Sequence, residues 1–400
     1  MSIIAERLSQ IKPSATLAMN SKAIELRRKG INVISLSVGE PDFFTPDFVK
    51  EAAIEAINQN KTFYTEVDGI SELKKAIAEK FRRDNHIEYQ TSQITVGTGA
   101  KQVIFNSLMA TVNPGDEVII PSPYWVSYPD MVALFEGIPV FVDSTAENEF
   151  KIKANDLQKA ITPKTKWLIL NSPSNPTGSV YTENELREIA DVLIEFPHIY
   201  ILSDDIYEHL IYDEKKFYTI AEVEPKLFDR ILTVNGVSKS HSMTGWRIGY
   251  AGGNEQIIKA IAKVQSQSTS NPCSISQYAA LLAVSSSMEF LEDKKIEFKK
   301  RRNYVIDRLN NSSLLKCNTP SGAFYLFPDC SKTFGKKTNS GNIINNSLDF
   351  CEYLLETALV ATVPGIAFGM EGFFRISYAT SMDILEEACN RIEKACLELK

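Results

Sequence analysis

Apolar runs of strand length alternate with amphipathic runs of helix length through most of this chain, and that rhythm restricts its fold more than any other feature. Strand patterns fall at 33–38, 94–96, 117–120, 139–142, 167–170, 199–202 and 230–234, with helical patterns at 14–29, 47–58, 71–83 and 100–108. Gly30 is placed to cap the first helix, and Thr182 with Glu185 makes a capping box for a helix through 196. Parallel strands cannot be joined by a tight turn and need a crossover, usually a helix. The alternation therefore predicts an α/β fold with a mainly parallel sheet. Ligands of such sheets bind at the carboxyl ends of the strands. The residues just beyond each strand carry the information about chemistry.

After about residue 285 the texture changes, with a long charged helix expected over 288–310 and a closing helix from 381. We read a large unit over 46–285 and a smaller one built from both chain ends, 1–45 and 286–400. The polar stretch 332–346 reads as a surface loop. With 43 basic and 50 acidic residues the net charge is −7, so nothing favours nucleic acid or an anionic membrane as a partner. Six cysteines lie scattered without a CxxC pair or a Cys/His ligand spacing, and no metal site is expected. The first residues lack the apolar core of a signal peptide, and no apolar run approaches a membrane span, which points to the cytoplasm.

Lys239 follows the strand pattern 230–234 and sits among small polar residues, with Arg247 eight positions on. A lysine leaving a buried strand for such a pocket loses hydration. Its pKa falls, and the free amine can attack a carbonyl. Arginine stays charged and suits a phosphate. An aldehyde and a phosphate on one ligand mean pyridoxal phosphate, which makes further demands. A carboxylate must hold the pyridine nitrogen protonated, so that the ring withdraws electrons from the substrate's α-carbon. Asp204 closes a strand and is suited to this, while alternation turns Asp205 the other way. Asn175 and Tyr207, both at strand exits, suit the ring hydroxyl. Gly97-Thr98-Gly99-Ala100-Lys101 opens a helix and offers free backbone N–H groups to the phosphate, with Ser238 and Arg247 as further donors. Arg375, on an apolar and aromatic strand, needs a carboxylate; a substrate or an internal Asp or Glu would serve equally. Trp125 either stacks on the ring or fills a core.

The segments Ile11-Lys12-Pro13-Ser14-Ala15-Thr16, Gly39-Glu40-Pro41-Asp42-Phe43, Tyr124-Trp125-Val126-Ser127-Tyr128-Pro129, Asn171 to Gly178, Ser203 to Glu208, Ser238 to Tyr250 and Arg375-Ile376-Ser377-Tyr378 run from end to end of the chain. On them the chain resembles the class I, fold-type I pyridoxal-phosphate aminotransferases, in the bacterial aspartate and aspartate/prephenate branch. The resemblance implies a large domain with a mainly parallel seven-stranded sheet, a smaller α/β domain from both chain ends, and a homodimer with its active sites at the subunit interface. It makes Lys239 the lysine that bonds the cofactor and then moves the substrate proton. Asp204 meets the ring nitrogen, Asn175 and Tyr207 the ring hydroxyl, and Trp125 stacks on the ring. Gly99, Ala100, Lys101, Ser238 and Arg247 hold the phosphate, assisted by Tyr64 of the partner subunit.

The resemblance also assigns the α-carboxylate to Arg375 with Gly39 and Asn175, and the distal carboxylate to Lys12, Ser14, Thr16 and Lys101. Lys12 is the residue connected with prephenate. The implied reaction passes the amino group of L-aspartate to 2-oxoglutarate, giving oxaloacetate and L-glutamate, with transamination of prephenate to arogenate beside it. Two departures stand out: Asp205 where relatives often carry Glu, and Ala100 in the phosphate loop. The rival readings are an aromatic or neutral amino-acid aminotransferase and a silent cofactor-binding protein. A nicotinamide dehydrogenase is disfavoured, because the chain lacks a full GxGxxG.

Overall fold

The computed structural model describes residues 3–11 and 15–400, without the side chains of 15–18 and 20. Its main sheet has seven strands: β1 (Ile94–Gly97), β2 (Glu117–Ser122), β3 (Ile138–Asp143), β4 (Thr165–Asn171), β5 (Tyr200–Asp204), β6 (Ile231–Gly236) and β7 (Gly249–Gly252). Their spatial order is β1-β7-β6-β5-β4-β2-β3. Only β7 is reversed, antiparallel to both β1 and β6. The other pairings are parallel, so β1 to β6 all end at one edge.

The strands are near-continuous apolar runs because both faces of the sheet are covered. Val118 and Ile120 pack on one side with Val103, Ile104 and Leu108 of helix Ala100–Thr111 and Ile257 and Ile261 of helix Glu255–Ser266. Ile119 between them turns to the other side. There it joins Leu73, Ile77 and Phe81 of helix Ser71–Asn85 and Leu186, Ile189 and Leu193 of helix Glu183–Glu195. The expected capping box starts that last helix: Thr182 Oγ1 accepts from the Glu185 N–H, and Glu185 Oε2 accepts from the Thr182 N–H at 2.8 Å. Such a cap stabilises a helix by about 1 kcal/mol.

A third core joins the chain ends. Val33 and Leu36 pack with Phe298, Phe324, Phe350, Phe374, Ile376 and Leu385. The expected strand over 33–38 shortens to Ile34–Ser35, paired with Val360–Ala361, and at Leu36 the chain changes partner, its carbonyl accepting from the Ser377 N–H at 2.8 Å. Tyr325–Leu326 pairs antiparallel with Phe374–Ser377, which pairs in turn with Val363–Pro364. The charged helix starts at Glu292 rather than 288, after a 3₁₀ turn over Glu289–Leu291. Among the described residues, no helix is long and apolar enough to cross a membrane.

Candidate active site

A cavity of about 470 Å³ opens at the carboxyl edge of the sheet, lined from the exits of β1, β2, β4, β5 and β6 and by the third core. Lys239 stands in it just beyond β6. Its Nζ donates to the Gly39 carbonyl at 2.6 Å. Burial pushes its pKa down to about 8, helped by the Arg375 charge and opposed by Glu40. Near neutral pH a usable fraction of this amine is therefore unprotonated.

Asp204 ends β5 fully buried. Its Oδ2 accepts from the Tyr128 hydroxyl at 2.6 Å, and its Oδ1 has no partner. Burial pushes the carboxyl up to about 6, although Tyr128, the Ile206 N–H and Lys239 all pull the other way. Asp205 points off the opposite face, as alternation requires, where it accepts from Ser203 Oγ at 2.7 Å. Asn171 ties the neighbouring exits together, donating to the Asp204 carbonyl at 2.8 Å and accepting from the Asn175 N–H at 2.9 Å. The Tyr207 hydroxyl is buried 2.7 Å from that of Tyr325.

Gly97, Thr98 and Gly99 make the turn from β1 into helix Ala100–Thr111. Gly99 has φ +82°, and a Cβ there would lie 2.2 Å from Arg247 Nη2, so the glycine both makes the turn and leaves room for the arginine. Arg247 itself has φ +55°, a left-handed conformation that costs an ordinary residue about 1 kcal/mol. Its guanidinium donates to the Thr244 carbonyl at 2.9 Å and has no carboxylate partner among the described residues. Ala100, Lys101 and Ser238 line the cavity beside it. Lys101 Nζ sits 4.7 Å from the Trp125 ring centre, and burial and then Arg247 lower its pKa. Trp125 also lines the cavity, edge-on to Tyr128 at 5.2 Å.

Arg375 is 3% exposed and faces Lys239 across the cavity. It donates to Asn175 Oδ1 at 2.9 Å and to the Ser37 carbonyl at 2.5 Å, while its Nε has no partner. No Asp or Glu among the described residues pairs with it, which leaves the carboxylate to a ligand.

Sequence reasoning passed over three residues of this site. Tyr128 holds Asp204, Tyr325 holds Tyr207, and Glu40 accepts from Thr244 Oγ1 over the Lys239 loop. Tyr128 and Glu40 lie in motifs already singled out and Tyr325 in none, and nothing local marks any of the three. Tyr64 is 93% exposed and does not line the cavity of its own chain. Lys12 and Ser14 lie outside the described residues, as does the side chain of Thr16.

The donor set fits pyridoxal phosphate. A carboxylate oxygen without a partner suits a pyridinium N–H, and a lysine of lowered pKa suits an aldehyde. A glycine turn at a helix N-terminus, next to an arginine without a carboxylate partner among the described residues, suits a phosphate.

The profile of the family described as "Aminotransferase class I and II" matches residues 31–392. The chain is 58% identical to a protein of Rickettsia bellii named "Probable aspartate/prephenate aminotransferase", over 99% of both chains. It is 53% identical to the "Aspartate/prephenate aminotransferase" of Cereibacter sphaeroides, over the full length of both. The crystal structure of the aspartate aminotransferase from Rhizobium meliloti superimposes with a TM-score of 0.97 at 51% identity, covering all of both chains.

Proposed function

Because this chain belongs to the class I and II aminotransferases, we propose that it transfers the amino group of L-aspartate to 2-oxoglutarate, giving oxaloacetate and L-glutamate, and that it also transaminates prephenate to arogenate. The observation that carries this reading is Arg375: a buried guanidinium without a carboxylate partner among the described residues, facing a lysine of lowered pKa. The names of the relatives support the choice of aspartate and prephenate.

When bound, pyridoxal phosphate supplies an aldehyde that takes up the amino group and a pyridinium ring that draws electrons from the α-carbon. Arg375 and Asn175 would grip the α-carboxylate and turn the α-hydrogen towards Lys239. Lys239 Nζ, released from the Gly39 carbonyl, would take that proton and deliver it to the cofactor's aldehyde carbon, on the other side of the transferred nitrogen. Asp204 would hold the proton on the ring nitrogen, with Tyr128 keeping the carboxylate in place. Tyr207 and Asn175 would meet the ring hydroxyl, and Trp125 would cover the ring. Gly99, Ala100, Lys101, Ser238 and Arg247 would hold the phosphate.

The same reading makes the protein a cytoplasmic homodimer in which the partner subunit's Tyr64 reaches the phosphate. It divides the chain at 46–285 against 1–45 with 286–400. Lys101, joined by Lys12, Ser14 and Thr16, would receive the distal carboxylate.

The test is the visible spectrum of the purified protein with pyridoxal phosphate. Aspartate should bleach the band and 2-oxoglutarate should restore it; prephenate should restore it too. A protein with no band in the presence of the cofactor defeats the reading. A band that responds to aromatic amino acids and not to aspartate replaces its substrate.

A further inference from the structure

We propose that Tyr325 is a positioning residue that joins the Arg375 carboxylate clamp to the Tyr207 hydroxyl, so that one buried side chain sets both ends of the site. This rests on the aminotransferase reading above. Tyr325 pairs with Ser377 in the strand that carries Arg375, which places the two side chains close together. The Arg375 guanidinium carbon lies 4.7 Å from the Tyr325 ring centre and 5.1 Å from that of Phe368, so aromatic rings hold the plane of the fork. The hydroxyl of the same tyrosine lies 2.7 Å from that of Tyr207. A Cβ on Gly39, whose carbonyl takes the Lys239 amine, would come within 2.4 Å of the Tyr325 hydroxyl. Tyr325 therefore touches three chain segments, each holding a different functional group.

Each phenol has one proton to give. Burial raises the pKa of both, so both stay protonated at neutral pH, although the Arg375 charge opposes this at each. Tyr207 can donate to the cofactor's ring oxygen only if it accepts from Tyr325 at the 2.7 Å contact. A hydroxyl that accepts becomes a better donor, so Tyr325 strengthens what Tyr207 delivers. A ring oxygen relieved of charge holds a proton on the neighbouring lysine nitrogen less firmly. Losing the Tyr325 hydroxyl should therefore raise the pH at which that nitrogen deprotonates.

The experiment is a pH titration of the visible band in the cofactor-loaded protein. Tyr325→Phe keeps the ring against Arg375 and loses the hydroxyl. Its midpoint should rise by at least about 0.5 pH unit, with the KM for aspartate within about twofold of the parent. In a Tyr207→Phe background the same change should add no further shift, because the relay is already cut. An unchanged midpoint in Tyr325→Phe, or an equal shift in the Tyr207→Phe background, overturns the proposal. A parent protein that forms no band brings down the underlying reading instead.

Discussion

Asp204 and Glu208 are carboxylates four residues apart at one strand exit, both fully buried, and they are treated in opposite ways. Burial pushes each one up. Glu208 has compensation: it pairs with Lys80, accepts from Asn85 and Asn235 at 2.8 Å each, and meets His209 at 3.0 Å. Lys80 and His209 outweigh the burial and hold it well below the usual carboxylate range. Asp204 has Tyr128 and one unpartnered oxygen, and it is left at about 6. Asp205 next door is buried, also has one oxygen without a partner and is pushed up to about 7, so it is the cavity position together with the open oxygen that sets Asp204 apart. The same contrast holds for the cations. Lys80 is closed off in the Glu208 network, while Lys239 and Arg375 face the cavity with carbonyl, amide and aromatic neighbours and no paired carboxylate among the described residues.

The comparison can be broken most severely at Lys239. Lys239→Ala should abolish the visible band and lower turnover at least about a thousandfold. Turnover near that of the parent would detach the open cluster from the chemistry. Arg375→Lys comes next. An ammonium cannot reproduce the planar fork, so kcat/KM should fall about a hundredfold for every amino acid alike, and an unchanged value would make Arg375 structural.

The most direct test is read as urea unfolding of cofactor-free protein, and its Asp204 arm is the smallest effect. Glu208→Gln leaves the Lys80 charge buried and should cost about 3 kcal/mol at pH 7.5. Asp204→Asn should do the reverse, adding about 1–2 kcal/mol at that pH. The signs follow from the shifts. Glu208, depressed in the fold, adds stability above its unfolded pKa and loses it as the pH falls. Asp204, raised to about 6, is penalised in the fold above that pH, and the penalty disappears below about pH 4. Losses of similar size in both variants would erase the distinction.

The five strand exits were legible because they rest on local signals: an apolar run of strand length, then Gly, Pro, Ser or Asn where the chain must turn. Lys239, Asp204 and Asn175 follow from that logic and line one cavity, where Ala100 and Lys101 after the Gly99 turn join them. Lys80 was read as part of an amphipathic helix, where a lysine is ordinarily solvated, and here it is 2% exposed. Its partner Glu208 arrives from a distant strand exit, and no periodicity reports that. Tyr128 and Tyr325 were hidden for the same reason, since a buried aromatic in a helix or strand looks like core whichever atom its hydroxyl meets.

The sequence by itself determined the alternating fold, the glycine turn at the helix start, and which residue types stand at the strand ends. These follow from backbone geometry and from apolar runs over a few residues. Only the tertiary structure decided that Arg375 would find no carboxylate among the described residues, that Tyr325 would lie between the guanidinium and Tyr207, and that Asp204 would be left open while Glu208 was closed. Those outcomes depend on strand register and on the water removed when distant segments pack together, and the energy of a buried charge is set by every partner it gains or lacks there.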